Sequence, residues 1–318
     1  MRAAFLDWGT VSTGHDLDPA PLQAILPGLE LFDDTGTSER ASRLAGLAVV
    51  ITNKVQLSSD LIAANPTLKL IALTATGTNN VDLEAARARG VAVCNIRDYC
   101  TASVVQHVFA VLLALTHRIR EYDRALKAGA WENAAQFTML NYPMRELAGR
   151  TLGIVGFGVL GRGVARVAEA FGMQVLVANR PGGTPEPGRL SLEALLPLAD
   201  VLTLHCPITP ATRNMIGARE LALMKSDAVL INTARGGLID AAALAAALRG
   251  GRLGGAAIDV LAEEPPLHGS PLLAPDLVNL IATPHTAWAA IESRQRAIDE
   301  VAANVAEFFQ GGRRGRVV

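Results

Sequence analysis

Short apolar runs separated by mixed stretches set the rhythm of the first hundred positions. Residues 3–6, 29–32, 47–52, 68–74 and 91–95 are dominated by Val, Ile, Leu, Ala and Phe. Runs this short and this apolar predict strands. Residues 20–26, 38–44, 59–64 and 82–89 lie between them and predict helices. The last of these opens with Asp82, whose side chain can cap free N–H groups, and closes at Gly90. Strands that alternate with helices imply a parallel sheet covered on both faces.

The rhythm then changes. Residues 103–127 contain neither Gly nor Pro and predict one extended helix ending near Gly129, followed by a loop from Trp131 to about Arg145. Alternation resumes with predicted strands at 151–155, 174–178, 201–205, 228–232, 255–259 and 278–283, and a last helix at 289–309. Six strands are what two mononucleotide-binding halves require. The fold class expected is α/β, with two doubly wound parallel-sheet domains, one flavodoxin-like and one Rossmann.

Composition narrows the function classes. Half of the 318 residues are hydrophobic and 19% are charged, which suits well-cored domains and argues against disorder. A formal net charge of −1 gives no global reason to bind nucleic acid or an anionic membrane. The basic stretch Gly311-Gly312-Arg313-Arg314-Gly315-Arg316 is expected to be frayed and solvated. Cys94, Cys100 and Cys206 are odd in number and lack a C-x-x-C pair, so they read as reduced thiols of a cytoplasmic protein. The first residues lack a signal-peptide run, and no apolar stretch approaches the ~20 residues of a spanning helix. No His, Cys, Asp or Glu grouping has ligand spacing, so no metal is expected.

Gly156-Phe157-Gly158-Val159-Leu160-Gly161 is a G-x-G-x-x-G motif between an apolar run and a helical pattern. That strand–turn–helix context is what a dinucleotide site demands. Gly156 permits the tight turn, Gly158 lets backbone approach a pyrophosphate, and Gly161 lets the helix pack close to its strand. The helix start offers free N–H groups and the positive end of a dipole to the phosphates.

Three later segments concentrate polar residues at predicted strand ends: Asn232-Thr233-Ala234-Arg235-Gly236, Asp259-Val260-Leu261-Ala262-Glu263-Glu264-Pro265 and Thr283-Pro284-His285-Thr286-Ala287-Trp288. Taken singly, Arg235 is a surface cation, Glu264 a loop carboxylate and His285 a satisfied strand-end histidine. Taken together behind a nucleotide motif, at the strand ends that face a ligand crevice, they read as a catalytic set. His107 and His205 read as structural, and nothing surrounds His15, His117 or His268 that gives them a role.

These segments carry a resemblance. With Ala75-Thr76-Gly77-Thr78-Asn79-Asn80-Val81-Asp82, Glu146-Leu147-Ala148-Gly149-Arg150 and His205-Cys206-Pro207, they make the chain similar to the D-2-hydroxy-acid dehydrogenases over nearly its whole length. Ala287-Trp288 and Thr52-Asn53-Lys54-Val55 most resemble the glycerate dehydrogenase, or hydroxypyruvate reductase, branch. The resemblance implies a substrate domain of residues 1–98 and 286–318 and a cofactor domain of residues 99–285. It puts Arg235, Glu264 and His285 on the family's catalytic positions. Arg235 then binds the substrate carboxylate through its fork of donors. His285 exchanges a proton with the keto oxygen, and Glu264 orients the ring and favours its protonated form. Thr76-Gly77-Thr78 is expected to offer backbone N–H groups to the carboxylate, and is equally a tight turn before Asp82. Trp288 either walls the pocket or packs at a helix start.

The resemblance extends cofactor contacts to Val159, Leu160, Cys206 and Pro207, and further to Thr212, Thr233, Ala234 and Asp259. At the end of the second Rossmann strand the usual ribose-binding carboxylate is replaced by Asn179-Arg180. Arg180 can pair with a 2′-phosphate and Asn179 can still bond a plain ribose hydroxyl, so NADPH is favoured and NADH remains usable. The implied reaction interconverts a small 2-keto acid (hydroxypyruvate, glyoxylate) and its D-2-hydroxy acid, in a homodimer. Two rivals share the scaffold: a dehydrogenase for another substrate such as phosphite, and a nucleotide-sensing protein like the co-repressors built on this fold.

Overall fold

A computed structural model describes every residue except His15 and divides the chain into two compact units. The first comprises Met1–Cys100 and Trp288–Val318, the second Thr101–Ala287. Both are parallel-sheet α/β units, as the alternation predicts.

The first unit holds β1 (Ala3–Phe5), α1 (Ala20–Ile25), β2 (Glu30–Leu31), α2 (Arg40–Leu44), β3 (Val49–Thr52) and α3 (Ser59–Ala63). It continues with β4 (Leu70–Leu73), α4 (Leu83–Ala88) and β5 (Ala92–Cys94). Its five strands run in the order β2-β1-β3-β4-β5. Side chains alternate between two cores. Phe5, Val49, Ile51 and Ala72 face α1 and the chain's last helix, whereas Leu6, Val50, Ile71 and Leu73 meet Leu44, Ile62 and Ala86 from α2, α3 and α4. Two covered faces leave no polar register for these strands, which is why the runs are continuous. Asp82 caps α4 through the N–H of Ala85 at 2.9 Å, as expected.

One expectation is overturned here. The basic tail is not frayed: it lies antiparallel along β5. Val317 N–H donates to the Val93 carbonyl at 2.8 Å and Asn95 N–H to the Gly315 carbonyl at 2.9 Å. Gly315 has a left-handed φ of 61°, and a Cβ there would stand 2.5 Å from the Asn95 oxygen. Edge-strand pairing outweighs the polarity of the sequence, because β5 would otherwise present unpaired N–H and C=O groups.

The second unit begins with α5 (Thr101–Thr116) and α6 (Ile119–Lys127) and continues through β6 (Thr151–Val155), α7 (Val159–Ala170), β7 (Gln174–Val177), α8 (Leu192–Leu195) and β8 (Val201–Leu204). It ends with α9 (Ala218–Leu223), β9 (Val229–Asn232), α10 (Ala241–Arg249), β10 (Gly255–Ile258) and β11 (Leu280–Ala282); α11 (Ile291–Phe309) belongs to the first unit. The single helix expected over 103–127 is in fact two, bent by 58°. Arg118 adopts a left-handed φ of 56° at the break. No Gly or Pro marks the position. The character of the helix changes there instead, from a segment with eight buried residues to one with none. Among the described residues, no single helix is long and apolar enough to cross a membrane.

The strands of this unit run β11-β10-β9-β8-β6-β7. Beyond β7 one parallel bridge, Ala178 to Leu190, stands where a third strand would lie. Counting that bridge as a vestigial strand restores the 3-2-1-4-5-6 dinucleotide order with one strand added after it. The point where the strand order reverses falls between β6 and β8, where a ligand crevice is expected. Gly163 lets α7 meet α5 closely: a Cβ there would come within 2.8 Å of Val105.

Candidate active site

Every strand of the second unit ends in a residue group singled out from the sequence. Across the sheet these are His285 after β11, Asp259 and Glu264 after β10, Thr233 to Arg235 after β9, and His205-Cys206 after β8. Next come Gly156 to Gly161 after β6, and Asn179-Arg180 after β7. At about 4.8 Å per strand the row spans roughly 24 Å.

Glu264 and His285 meet: Nδ1 of the ring lies 2.7 Å from Oε2 of the carboxylate. The other carboxylate oxygen accepts the Leu261 N–H at 2.8 Å, so Glu264 is held at both ends. Because a carboxylate only accepts, Nδ1 carries the shared hydrogen. Both side chains are about one-third exposed. His285 itself has a left-handed φ of 57°, a strained choice for a residue with a Cβ. Its N–H is held by the Asp259 and Thr283 carbonyls at 2.7 and 3.0 Å.

The Arg235 turn is built by its neighbours. Asn232 reaches over it, accepting from the Ala234 N–H at 3.0 Å and donating to the Arg235 carbonyl at 2.9 Å. A Cβ on Gly236 would collide with the Leu261 backbone, so only glycine lets this turn lie against the segment that carries Glu264. The Arg235 side chain is exposed, with Nη1 2.6 Å from the Ala234 carbonyl.

Residues 109–287 match the family profile described as D-isomer specific 2-hydroxyacid dehydrogenase, NAD binding domain. A glycerate dehydrogenase of Methylorubrum extorquens is 46% identical over 281 residues, 88% of each chain. A hydroxypyruvate reductase of Blautia hydrogenotrophica is 34% identical over 318 residues, 98% of each chain. Among solved structures, the TT0316 protein of Thermus thermophilus superposes with a TM-score of 0.87 at 35% identity, over the whole of both chains. The chain belongs to the D-isomer specific 2-hydroxyacid dehydrogenase family.

As a D-2-hydroxyacid dehydrogenase it is an oxidoreductase with an NAD-binding domain, and its glycine turn fits a nicotinamide dinucleotide. Gly156 has a φ of 96°, and a Cβ there would press on His205 at 2.5 Å. A Cβ on Gly161 would clash with the Gly156 carbonyl. Gly158, in contrast, faces open space, with no atom within 4 Å of a Cβ position. Val159 and Leu160 form the first turn of α7, whose leading N–H groups have no partner within the helix. Two buried polar atoms along the row also lack partners among the described residues, Nδ1 of His205 and Oγ1 of Thr233.

Other residues that the sequence assigned to this dehydrogenase's cofactor have the following surroundings. The Thr212 hydroxyl is buried in its own loop, accepting from Thr209 N–H at 2.7 Å and donating to the Pro207 carbonyl at 2.8 Å. Cys206 is buried, which pushes its thiol up to about 11 and makes it inert as a nucleophile. Burial also pulls His205 down to about 4, so this ring is neutral. Asp259 is 2% exposed, and its carboxylate accepts from the Thr283 hydroxyl and from the Thr286 and Ala287 N–H groups. Asn179 Oδ1 accepts the Glu186 N–H at 2.9 Å, while Arg180 is exposed and makes no ion pair among the described residues.

In the first unit the Thr76 hydroxyl donates to the Ile96 carbonyl at 2.9 Å, so its side chain is used in holding the turn. The N–H groups of Thr76, Gly77 and Thr78 make no hydrogen bond among the described residues. In the same unit, the buried Asp7 carboxylate accepts the N–H groups of Asn53, Lys54 and Val55, and burial raises its pKa despite those bonds. Trp288 is partly buried, edge-on to Tyr99 with ring centres 6.3 Å apart. No three His, Cys, Asp or Glu side chains among the described residues form a metal-ligand group.

Proposed function

We propose that this enzyme reduces hydroxypyruvate to D-glycerate in the cytoplasm, with glyoxylate as a side substrate and NADPH preferred over NADH. The observation that carries the reading is the 2.7 Å Glu264–His285 pair, carried after β10 and β11, the next two strands beyond the Arg235 turn after β9. A bound reduced nicotinamide supplies the hydride that reaches the keto carbon. Arg235 fixes the substrate carboxylate and polarises the keto oxygen, using parallel charge-assisted bonds. His285 gives the proton on Nε2 to that oxygen as it gains charge, while Glu264 keeps the ring from turning. In the first unit, the N–H groups of Thr76, Gly77 and Thr78, which make no hydrogen bond among the described residues, suit an anion such as a carboxylate. The names of the relatives favour hydroxypyruvate among the short 2-keto acids. Turnover of hydroxypyruvate with NADPH, followed by loss of reduced cofactor, tests the reading. No turnover with any short 2-keto acid overturns it and favours the nucleotide-sensing alternative.

Cofactor choice follows from the end of β7. With Oδ1 of Asn179 committed to Glu186, its Nδ2 donors and the Arg180 guanidinium remain for a ligand, and donors suit a 2′-phosphate. Arg180→Ala is expected to lower kcat/KM for NADPH roughly 10- to 100-fold, the worth of one charge-assisted bond, with little change for NADH. Asn179→Asp keeps an acceptor for Glu186 and adds a repulsive charge, so it shifts preference toward NADH without unfolding the loop. A parent enzyme that clearly prefers NADH would mean that Arg180 points away from the ribose.

A homodimer is the proposed assembly. Ile119, Leu126, Trp131, Met144, Leu140 at 76% and Phe137 at 89% exposure are large apolar side chains on α6 and the following loop. A contiguous patch of such side chains is normally covered by a partner. Light scattering at working concentrations is expected to return twice the chain mass, and a monomer mass overturns the assignment. The three free thiols, Cys94, Cys100 and Cys206, accord with a reducing compartment.

A further inference from the structure

The histidine at position 107 is not used by the reaction described above, yet it faces the polar group that holds the catalytic turn. His107 lies on α5, with Nε2 3.2 Å from the Thr283 hydroxyl and 3.8 Å from an Asp259 oxygen. The Thr283 hydroxyl is also 2.6 Å from that Asp259 oxygen. A hydroxyl has one hydrogen and a carboxylate only accepts, so Thr283 donates to Asp259. The contact with His107 then runs the other way: Nε2–H donates to the Thr283 oxygen, which fixes the tautomer of the ring.

What this relay holds is unusual backbone. The Asp259 carboxylate also takes the N–H groups of Thr286 at 2.8 Å and Ala287 at 2.9 Å, the two residues after His285. The Ala287 carbonyl is held in turn by the Ser103 hydroxyl at 2.7 Å, from the same helix as His107. Residues 283–287 are thereby fastened on both sides of His285, whose left-handed φ costs energy that the surrounding bonds must offset. Without the His107 donor, Thr283 is free to rotate, and the carboxylate loses the fixed partner that keeps it aimed at the turn.

We propose that His107 is a positioning residue for catalysis: through Thr283 and Asp259 it holds the turn on which His285 meets Glu264. The inference rests on the dehydrogenase reading above, and its test separates the two. His107→Leu removes the donor, and His107→Gln returns an N–H near the same place. Leu is expected to lower kcat by roughly 3- to 10-fold, the rate equivalent of one hydrogen bond, with KM for the keto acid and cofactor affinity unchanged. Gln is expected to restore most of the loss. Amide hydrogen exchange, which needs no turnover, is expected to show faster exchange at Thr286 and Ala287 in the Leu variant and near-parental exchange in the Gln variant. Unchanged exchange at those amides overturns the proposal whatever the enzyme's substrate proves to be. A fall in kcat that Gln does not rescue, accompanied by a lower Tm in both variants, overturns it in favour of a purely structural role. Faster exchange in an enzyme that reduces no keto acid leaves the clamp standing and removes the dehydrogenase reading instead.

Discussion

His285→Ala is expected to lower turnover by roughly 10²- to 10⁴-fold, the usual contribution of a positioned general acid. The loss should fall on kcat, because the imidazole acts on charge that develops at the keto oxygen only as hydride arrives. Cofactor affinity should hardly change, since the glycine turn and the start of α7 follow β6, four strands away from β11 along the sheet. The variant should also fold. The turn at 283–287 is fastened through backbone groups and the Asp259 carboxylate, and alanine keeps all of them. The left-handed φ at this position suits alanine somewhat less well than histidine, a small cost against the bonds that remain. Steady-state kinetics with hydroxypyruvate, and cofactor titration by fluorescence, check the two halves separately. Normal turnover in the alanine variant would remove His285 from the reaction.

Arg235→Lys is expected to be nearly as damaging, with kcat/KM falling by about 10²-fold. Charge is retained, so a merely electrostatic role predicts a mild effect. A planar fork can bind a carboxylate and polarise a neighbouring oxygen at once, whereas an ammonium on a flexible stem cannot reproduce both directions. The structure makes this a clean comparison. Asn232 holds the Arg235 turn entirely through backbone N–H and C=O groups, and the close approach to Leu261 depends on Gly236. Neither requires a guanidinium, so the lysine variant should melt at the parental temperature. A kcat/KM close to the parent would show that a single positive charge suffices and would reassign the carboxylate to other donors.

Much of the molecule follows from local chemistry and was legible in the sequence. Continuous apolar runs separated by capped helices specify parallel sheets covered on both faces, and Asp82 with Gly90 bounds α4 as read. G-x-G-x-x-G in a strand–turn–helix context specifies a dinucleotide-binding turn because only glycines satisfy the positive φ at 156 and the close contact at 161. The ordered series of motifs was enough to identify the family.

Other features depend on partners remote in sequence. Apolarity and the absence of Gly and Pro favour one helix over 103–127, but α5 is buried and α6 is not, and the chain turns where that changes. Glycines and arginines at 311–316 read as a solvated tail because their partner, β5, lies far earlier in the chain. The carboxylate of Asp259 reads as a cofactor contact, yet in the fold both its oxygens serve residues 283–287. Residue types and short-range spacing determine propensity, turn chemistry and which strands are buried. Which unpaired edge or buried carboxylate finds which donor is decided only when distant segments are brought together, since each buried polar group must then be satisfied by whatever the tertiary structure sets beside it.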